Sequence, residues 1–218
     1  EARKAAEEAE QRYRNLEGRS GLSKAQAEKT FSRFSVNSET KEAFDYLSSW
    51  TFGNYGATLL GLPGVGKTHL LISFAMKQMQ LGHIVRFFNF NELVGKFRQL
   101  SLLPGQSYES ELEKIKKSSI LILDDIGTER GTPLSADLFN CILEYRLNNR
   151  LPLFVTTNCS ESDLVLKFHE RAYSRLKELT ILLQVNGADY RNKIQIDLQN
   201  KKMKLTSANT QSLNKGER

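Results

Sequence analysis

The stretch Ala57-Thr58-Leu59-Leu60-Gly61-Leu62-Pro63-Gly64-Val65-Gly66-Lys67-Thr68 decides how the chain is read. Residues 57–61 are a short apolar run, residues 61–68 fit G-x-x-x-x-G-K-[ST], and a helical pattern over 67–81 follows at once. Strand, glycine loop and helix in that order make a phosphate cradle. Glycines let backbone N–H groups curl around phosphate oxygens, and the helix N-terminus adds positive potential. Within Gly61, Leu62, Pro63, Gly64, Val65, Gly66, Lys67 and Thr68, the lysine is placed to reach the β and γ phosphates and the threonine hydroxyl to ligate Mg²⁺. The ligand implied is ATP or GTP.

Working outward, further apolar runs lie at 83–88, 119–125, 152–158 and 180–185, separated by helical patterns at 91–100, 108–117, 134–149 and 161–168. Five continuous apolar strands spaced by helices predict an α/β fold with a parallel sheet covered on both faces. A helix over 37–50 presents Ala43, Phe44, Leu47 and Trp50 to the core. Residues 1–17 carry only a narrow stripe of Ala, Tyr13 and Leu16, closed by Gly18 and Gly21, and predict a poorly buried linker helix. Residues 192–218 are polar; KIQIDL within them alternates and predicts one extra strand ahead of a disordered end.

The second requirement of phosphoryl chemistry is an acid at a strand end. Ile120-Leu121-Ile122-Leu123-Asp124-Asp125 supplies two: Asp124 to hold the metal through water, and Asp125 to orient or deprotonate the attacking water. The run PLFVTTN ends in Asn158, which both donates and accepts hydrogen bonds. If that strand lies between the phosphate-loop strand and the acid strand, Asn158 stands beside the γ-phosphate.

Composition excludes several classes. The 218 residues are 39% hydrophobic and 26% charged, enough for one domain with a real core. No apolar run approaches the roughly 18 residues of a membrane span, and the charged N-terminus lacks a secretory signal, so a cytoplasmic protein without membrane contact is predicted. The chain opens on Glu1, as expected of a sequence that continues upstream. Cys141 and Cys159 alone give neither a disulfide framework nor a zinc pair. The net charge of +6 is unevenly placed: residues 37–191 hold 17 basic and 17 acidic side chains, while residues 192–218 hold 6 and 2. The basic balance therefore says nothing about nucleic acid at the folded core.

Taken together, the phosphate loop, the Asp-Asp strand, the Asn-terminated strand and the arginines behind it resemble AAA+ P-loop ATPases. The spelling ILILDDIGTERGTPLSADLFNCILEYRLNNRLPLFVTTN, then HERAYSRLKE, NGADYR and the upstream TFSRF, resembles bacterial and phage replicative helicase loaders of the DnaC/DnaI type, over roughly residues 20–191. The resemblance implies an AAA+ sheet of order 5-1-4-3-2 without a large C-terminal lid domain, and three parts: residues 1–36 as linker helix and lead-in, 37–191 as the ATPase, 192–218 as a basic tail. It implies ATP with Mg²⁺ as cofactors, an adenine pocket around Thr30 to Val36, and assembly into a homo-oligomer on ATP binding. Its partners would be a DnaB-type helicase and single-stranded DNA. By the same resemblance Arg175 is an arginine finger for a neighbour's ATP, Arg171 stands beside it, and Arg191 is the sensor-2 arginine acting in cis. An i, i+4 arrangement with Glu170 or Glu178 on an exposed helix is the plainer alternative for the finger pair. The family's helical insertion corresponds to 91–118, where Lys96, Arg98, Lys114, Lys116 and Lys117 are candidate DNA contacts, diluted by Glu109, Glu111 and Glu113.

Three other readings stay open: an IstB-like transposition helper acting on duplex DNA, a small-molecule phosphotransferase, and a loader-like interaction module. The phosphotransferase lacks a clear lid segment, and an Asp-Asp strand with Asn158 suits water attack better than acceptor recognition.

Overall fold

Each apolar run becomes a strand: β1 (Gly56–Leu60), β2 (Val85–Asn89), β3 (Ile120–Ile126), β4 (Leu153–Thr157) and β5 (Thr180–Gln184). The computed structural model describes residues 2–102, 107–128 and 131–190. Every strand pair is parallel and the order is β2-β3-β4-β1-β5, so the sheet has the expected 5-1-4-3-2 arrangement. Successive residues of a strand feed opposite faces. Ile120 and Ile122 join Phe154, Leu70 and Phe74 on one side, while Leu121 and Leu123 join Val155, Phe139 and Phe168 on the other. One layer is built by α3 (Lys41–Ser49) and α4 (Lys67–Gln80), the other by α5 (Phe90–Leu100), α6 (Ser107–Lys116), α7 (Pro133–Asn148) and α8 (Glu161–Leu179). No described helix is long and apolar enough to cross a membrane. Arg191 and the KIQIDL segment lie outside the described residues.

Local sequence sets the helix starts. Asn89 caps α5 by accepting from the N–H groups of Asn91 and Glu92, and Thr132 forms a capping box with Ser135 ahead of Pro133 at the start of α7. At its other end α7 buries Arg146 completely. Among the described residues no carboxylate pairs with it: the guanidinium donates to the carbonyls of Lys116, Ser118, Ser119 and Pro152. Burial lowers its pKa to about 9, which leaves it charged at neutral pH. The side chain thus pins the ends of two loops that lead into neighbouring strands β3 and β4.

The N-terminal helix departs from expectation. α1 (Ala2–Ser20) runs through Gly18 and docks on the domain through Tyr13 and Leu16. Tyr13 and Leu16 pack against the cluster that contains Met76, the Tyr13 hydroxyl lies 3.8 Å from the Met76 sulfur, and Arg86 donates to the Arg19 carbonyl at 2.8 Å. One glycine in a helix costs only about 1 kcal/mol, which tertiary contact offsets. A four-residue helix, α2 (Lys24–Ala27), and a single 3-10 turn over Phe31–Arg33 then carry the chain to the phosphate loop. Phe31 and Phe34 both pack on Phe44 of α3, so the lead-in shares the core of the ATPase.

α8 also differs from its pattern. The helical signal over 161–168 resumes after a break at His169, whose φ of 70° and ψ of 156° interrupt the helix. Leu164 and Phe168 are buried ahead of the break, and Ala172, Tyr173 and Leu176 behind it.

Candidate nucleotide-binding site

The phosphate loop turns between β1 and α4 with Gly64 at φ 84° and Gly66 at φ 101°, both left-handed. Glycine is required there on a second ground, close approach. A Cβ on Gly64 would lie 2.0 Å from the Asp189 carboxylate, and one on Gly66 would lie 2.8 Å from the Phe34 ring. Lys67, at the first turn of α4, is 4% exposed. Its ammonium donates to the Gly61 carbonyl (2.6 Å), the Leu62 carbonyl (2.8 Å) and Asn158 Oδ1 (2.6 Å). Asn158 reaches the loop because β4 lies between β3 and β1.

The two acids occupy different environments. Asp124 is buried, and its Oδ1 accepts from the Thr68 hydroxyl at 3.0 Å and the Thr156 hydroxyl at 2.7 Å. Burial raises its pKa; the hydrogen bond from Thr156 works the other way, and the neighbouring Asp125 adds to the rise. Asp125 faces elsewhere because the sheet slips: Leu123 pairs with Val155 but Ile126 with Thr157, so β3 carries an extra residue in a bulge. Asp125 has φ 60°, a conformation that aspartate tolerates, and its N–H donates to the Thr156 hydroxyl at 2.8 Å. One hydroxyl therefore fixes both acids.

These groups surround a cavity of about 350 Å³. Its walls are Pro63, Gly64 and Gly66 to His69 of the loop and α4, Asp125 and Asn158 from the strand ends, Lys29, Arg33, Phe34 and Ser35 from the lead-in, and Tyr190. The Tyr190 N–H donates to the Gly64 carbonyl at 3.1 Å. A hydroxyl and a buried carboxylate in contact, with no ion pair to that carboxylate among the described residues, form an oxygen donor pair whose charge a divalent cation would offset. Among the described residues no three His, Cys, Asp or Glu side chains cluster as a metal site. The Thr68 and Asp124 oxygens suit Mg²⁺, which keeps several waters and is held through one or two carboxylates.

Arg175, Arg171 and the basic residues of the insertion do not line this cavity. Arg175 is held by its own chain, Nη2 to Glu144 Oε1 of α7 at 3.2 Å, with the side chain 15% exposed. Its partner is neither Glu170 nor Glu178. Arg171 is exposed on the same helix. The four lysines of the insertion are all paired: Lys96 and Lys114 with Glu111, Lys116 and Lys117 with Glu113. These pairs hold the Glu111 carboxyl below its usual range, chiefly through the hydrogen bond from Lys96. Arg98 is exposed.

Several residues at the site carry no local motif. Thr156 reads as one residue of an apolar run, and only strand pairing brings it to the acids. His69 reads as a structural histidine, yet it lines the cavity and its Nε2 lies 3.1 Å from the Thr30 carbonyl. Burial lowers its pKa, the bond to Thr30 opposing. The one signal available for His69 was its position two residues after Lys67.

Comparison with known proteins places the chain in a family. The family model for IstB-like ATP-binding protein matches residues 4–197. The chain belongs to this family. Its members here include helicase loaders, so the DnaC/DnaI/IstB group of AAA+ proteins is the frame for the fold and site. The chain is 31% identical over 137 residues to the replicative helicase loader DnaI of Bacillus subtilis, covering 62% of this chain and 42% of that protein. It is 30% identical over 140 residues to a Pseudomonas aeruginosa insertion sequence IS21 protein described as ATP-binding, covering 62% and 52%. The chain thus spans about half the length of these curated relatives. A crystal structure of the DnaC helicase loader superposes with a TM-score of 0.66 at 26% identity, covering 75% of this chain and 100% of that one.

Proposed function

We propose that this IstB-like chain binds ATP with Mg²⁺, hydrolyses ATP, self-assembles on ATP binding, and helps deliver a DnaB-type helicase to single-stranded DNA in the cytoplasm. The observation that carries the nucleotide half is the convergence of Lys67, Thr68, Asp125 and Asn158 on one cavity, with Asp124 bonded to Thr68 behind them. In this reading Lys67 exchanges the Gly61 and Leu62 carbonyls for β and γ phosphate oxygens. Thr68 and Asp124 hold Mg²⁺, which when bound neutralises charge on those oxygens. Asp125 takes or orients the proton of the attacking water, and Asn158 positions that water. Arg191 acts in cis on the phosphates. Arg175, with Arg171 beside it, serves a neighbouring subunit, and Glu144 holds Arg175 in place until a neighbour's phosphate competes for it. Lys96, Lys114, Lys116 and Lys117 contact DNA backbone by exchanging Glu111 and Glu113 for phosphates, and the exposed Arg98 joins them.

The loader reading is favoured by the match to the DnaC loader structure over that chain's full length. A second reading, an IstB-like transposition helper, is supported by nearly equal identity to the IS21 protein. Phosphate release is the direct test. Wild type should turn over ATP without an added acceptor, Lys67→Ala should lose binding, and Asp125→Asn should bind ATP but turn it over slowly. Unchanged turnover in Asp125→Asn would remove that residue from catalysis. Pull-downs against a hexameric helicase and a transposase separate the two readings: capture of the transposase alone, with duplex-stimulated turnover, rejects the loader.

A further inference from the structure

The cavity has a cation that the phosphate-loop motif does not supply. Lys29, between α2 and the 3-10 turn, lines the same cavity as Lys67, Asp125 and Asn158. Its side chain is half-buried, and no carboxylate lies within 4.0 Å of its ammonium among the described residues. Arg33, the other lead-in cation on that wall, is already engaged, donating to the Glu28 carbonyl at 3.2 Å and approaching its carboxylate at 3.5 Å. The two thus differ in kind: one is neutralised locally, the other faces the space where phosphates would lie.

The backbone that carries Lys29 is held on one flank by its own turn and on the other by the start of α4. On one flank the Lys29 N–H donates to the Gln26 carbonyl at 3.0 Å, and α2 is closed by the Ser23 and Gln26 capping box. On the other, the Thr30 carbonyl meets His69 at 3.1 Å, and the Phe34 ring covers Gly66 while meeting the His69 ring edge-on at 5.3 Å. A fixed backbone limits where the lysine stem can reach, and keeps its ammonium within range of this cavity. It shares the cavity with Asp125 and Asn158, the two strand-end groups that the nucleotide reading places at the terminal phosphate. A cation there acts on the terminal phosphate more than on the base.

We propose that Lys29 is a second phosphate-binding lysine, delivered by the lead-in segment, that favours ATP over ADP. The inference rests on the nucleotide reading above and adds a consequence to it. Because α1 and α2 lead directly into Lys29, nucleotide state becomes coupled to the segment that docks the N-terminal helix on the domain. Lys67 marks any nucleotide phosphate chain, whereas Lys29 reports its third phosphate.

The test is equilibrium binding of Mg·ATP and Mg·ADP to the full chain by calorimetry, for wild type, Lys29→Met and Lys29→Arg. Methionine keeps the stem and removes the charge. Lys29→Met should weaken ATP about 10-fold and ADP less than about 2-fold, as expected of one charge-assisted hydrogen bond to phosphate. Lys29→Arg should stay near wild type, and all three should melt at the same temperature. Amide exchange over residues 28–36 should slow with ATP in wild type but not in Lys29→Met. Equal loss of both nucleotides, or no loss of either, overturns the role of Lys29 while leaving the nucleotide site intact. Failure of wild type to bind Mg·ATP overturns the site reading, and Lys29 with it.

Discussion

His169 sits at φ 70° and ψ 156° inside α8, in a region that side chains with a Cβ avoid and glycine enters freely. Its side chain is exposed, so the strain is not offset by burial of the imidazole. Holding a residue with a Cβ there costs about 1–3 kcal/mol, and a glycine adds about 0.5–1 kcal/mol of backbone entropy to folding. His169→Gly should therefore stabilise the domain by about 1 kcal/mol. His169→Ala keeps the Cβ and the strain, and should fall within about 0.5 kcal/mol of wild type. In a domain of this size the glycine gain corresponds to about 2–4 °C in Tm. Urea titration followed by circular dichroism, with both variants beside wild type, reads the difference directly. The comparison that matters is glycine against alanine, because it cancels loss of the imidazole. A glycine variant no more stable than the alanine variant would refute strain at His169. The break is tolerated because it lets the two halves of α8 each bury their own apolar residues, Phe168 before it and Leu176 after it.

Three further outcomes follow from particular contacts. Thr156→Val keeps the shape of the side chain but strips the hydroxyl shared by Asp124 and the Asp125 N–H, and should lower stability by about 1–3 kcal/mol; a change under about 0.5 kcal/mol in urea would mean the hydroxyl is dispensable. Glu111→Gln with Glu113→Gln frees Lys96, Lys114, Lys116 and Lys117, and should tighten single-stranded DNA binding and steepen its salt dependence in fluorescence anisotropy. Binding that stays the same would remove those lysines from the DNA path. Arg175→Ala should leave ATP binding to the monomer intact and reduce turnover that depends on assembly. Recovery on mixing with Lys67→Ala subunits is the expected sign of action in trans, and a monomer-level loss of binding would contradict it.

Much of this fold is legible in the sequence because the strands are fully buried. A run such as ILILDD has no polar interruption, and its length separates it from the amphipathic helices on either side. Helix ends were less legible. Gly18 looks like a stop, yet α1 continues to Ser20 because Tyr13 and Leu16 find a surface on the domain. The break at His169 has no clear local signal, since its φ/ψ pair is one that glycine alone enters readily and no glycine stands there. Charge is similarly divided. The pairing of Lys116 and Lys117 with Glu113 follows from i, i+3 and i, i+4 spacing, but that of Lys96 with Glu111 joins two helices and that of Arg175 with Glu144 joins two more.

By itself the sequence determined the phosphate loop, because an eight-residue motif that joins a strand to the first turn of a helix is specified by its own glycines, lysine and threonine. It determined too that two acids and an asparagine stand at strand ends, since each closes an apolar run. Only the tertiary structure decided what those strand ends do to one another. Thr68 meets Asp124 across 56 residues and Lys67 meets Asn158 across 91, distances in sequence that strand order alone can close. The bulge that sends Asp125 into the cavity while Asp124 stays buried depends on the register of β3 against β4, and the lysine at position 29 becomes part of the site through the packing of Phe34 on Gly66. Local geometry is a property of neighbouring residues; the charge that a phosphate would meet is a property of the packed whole.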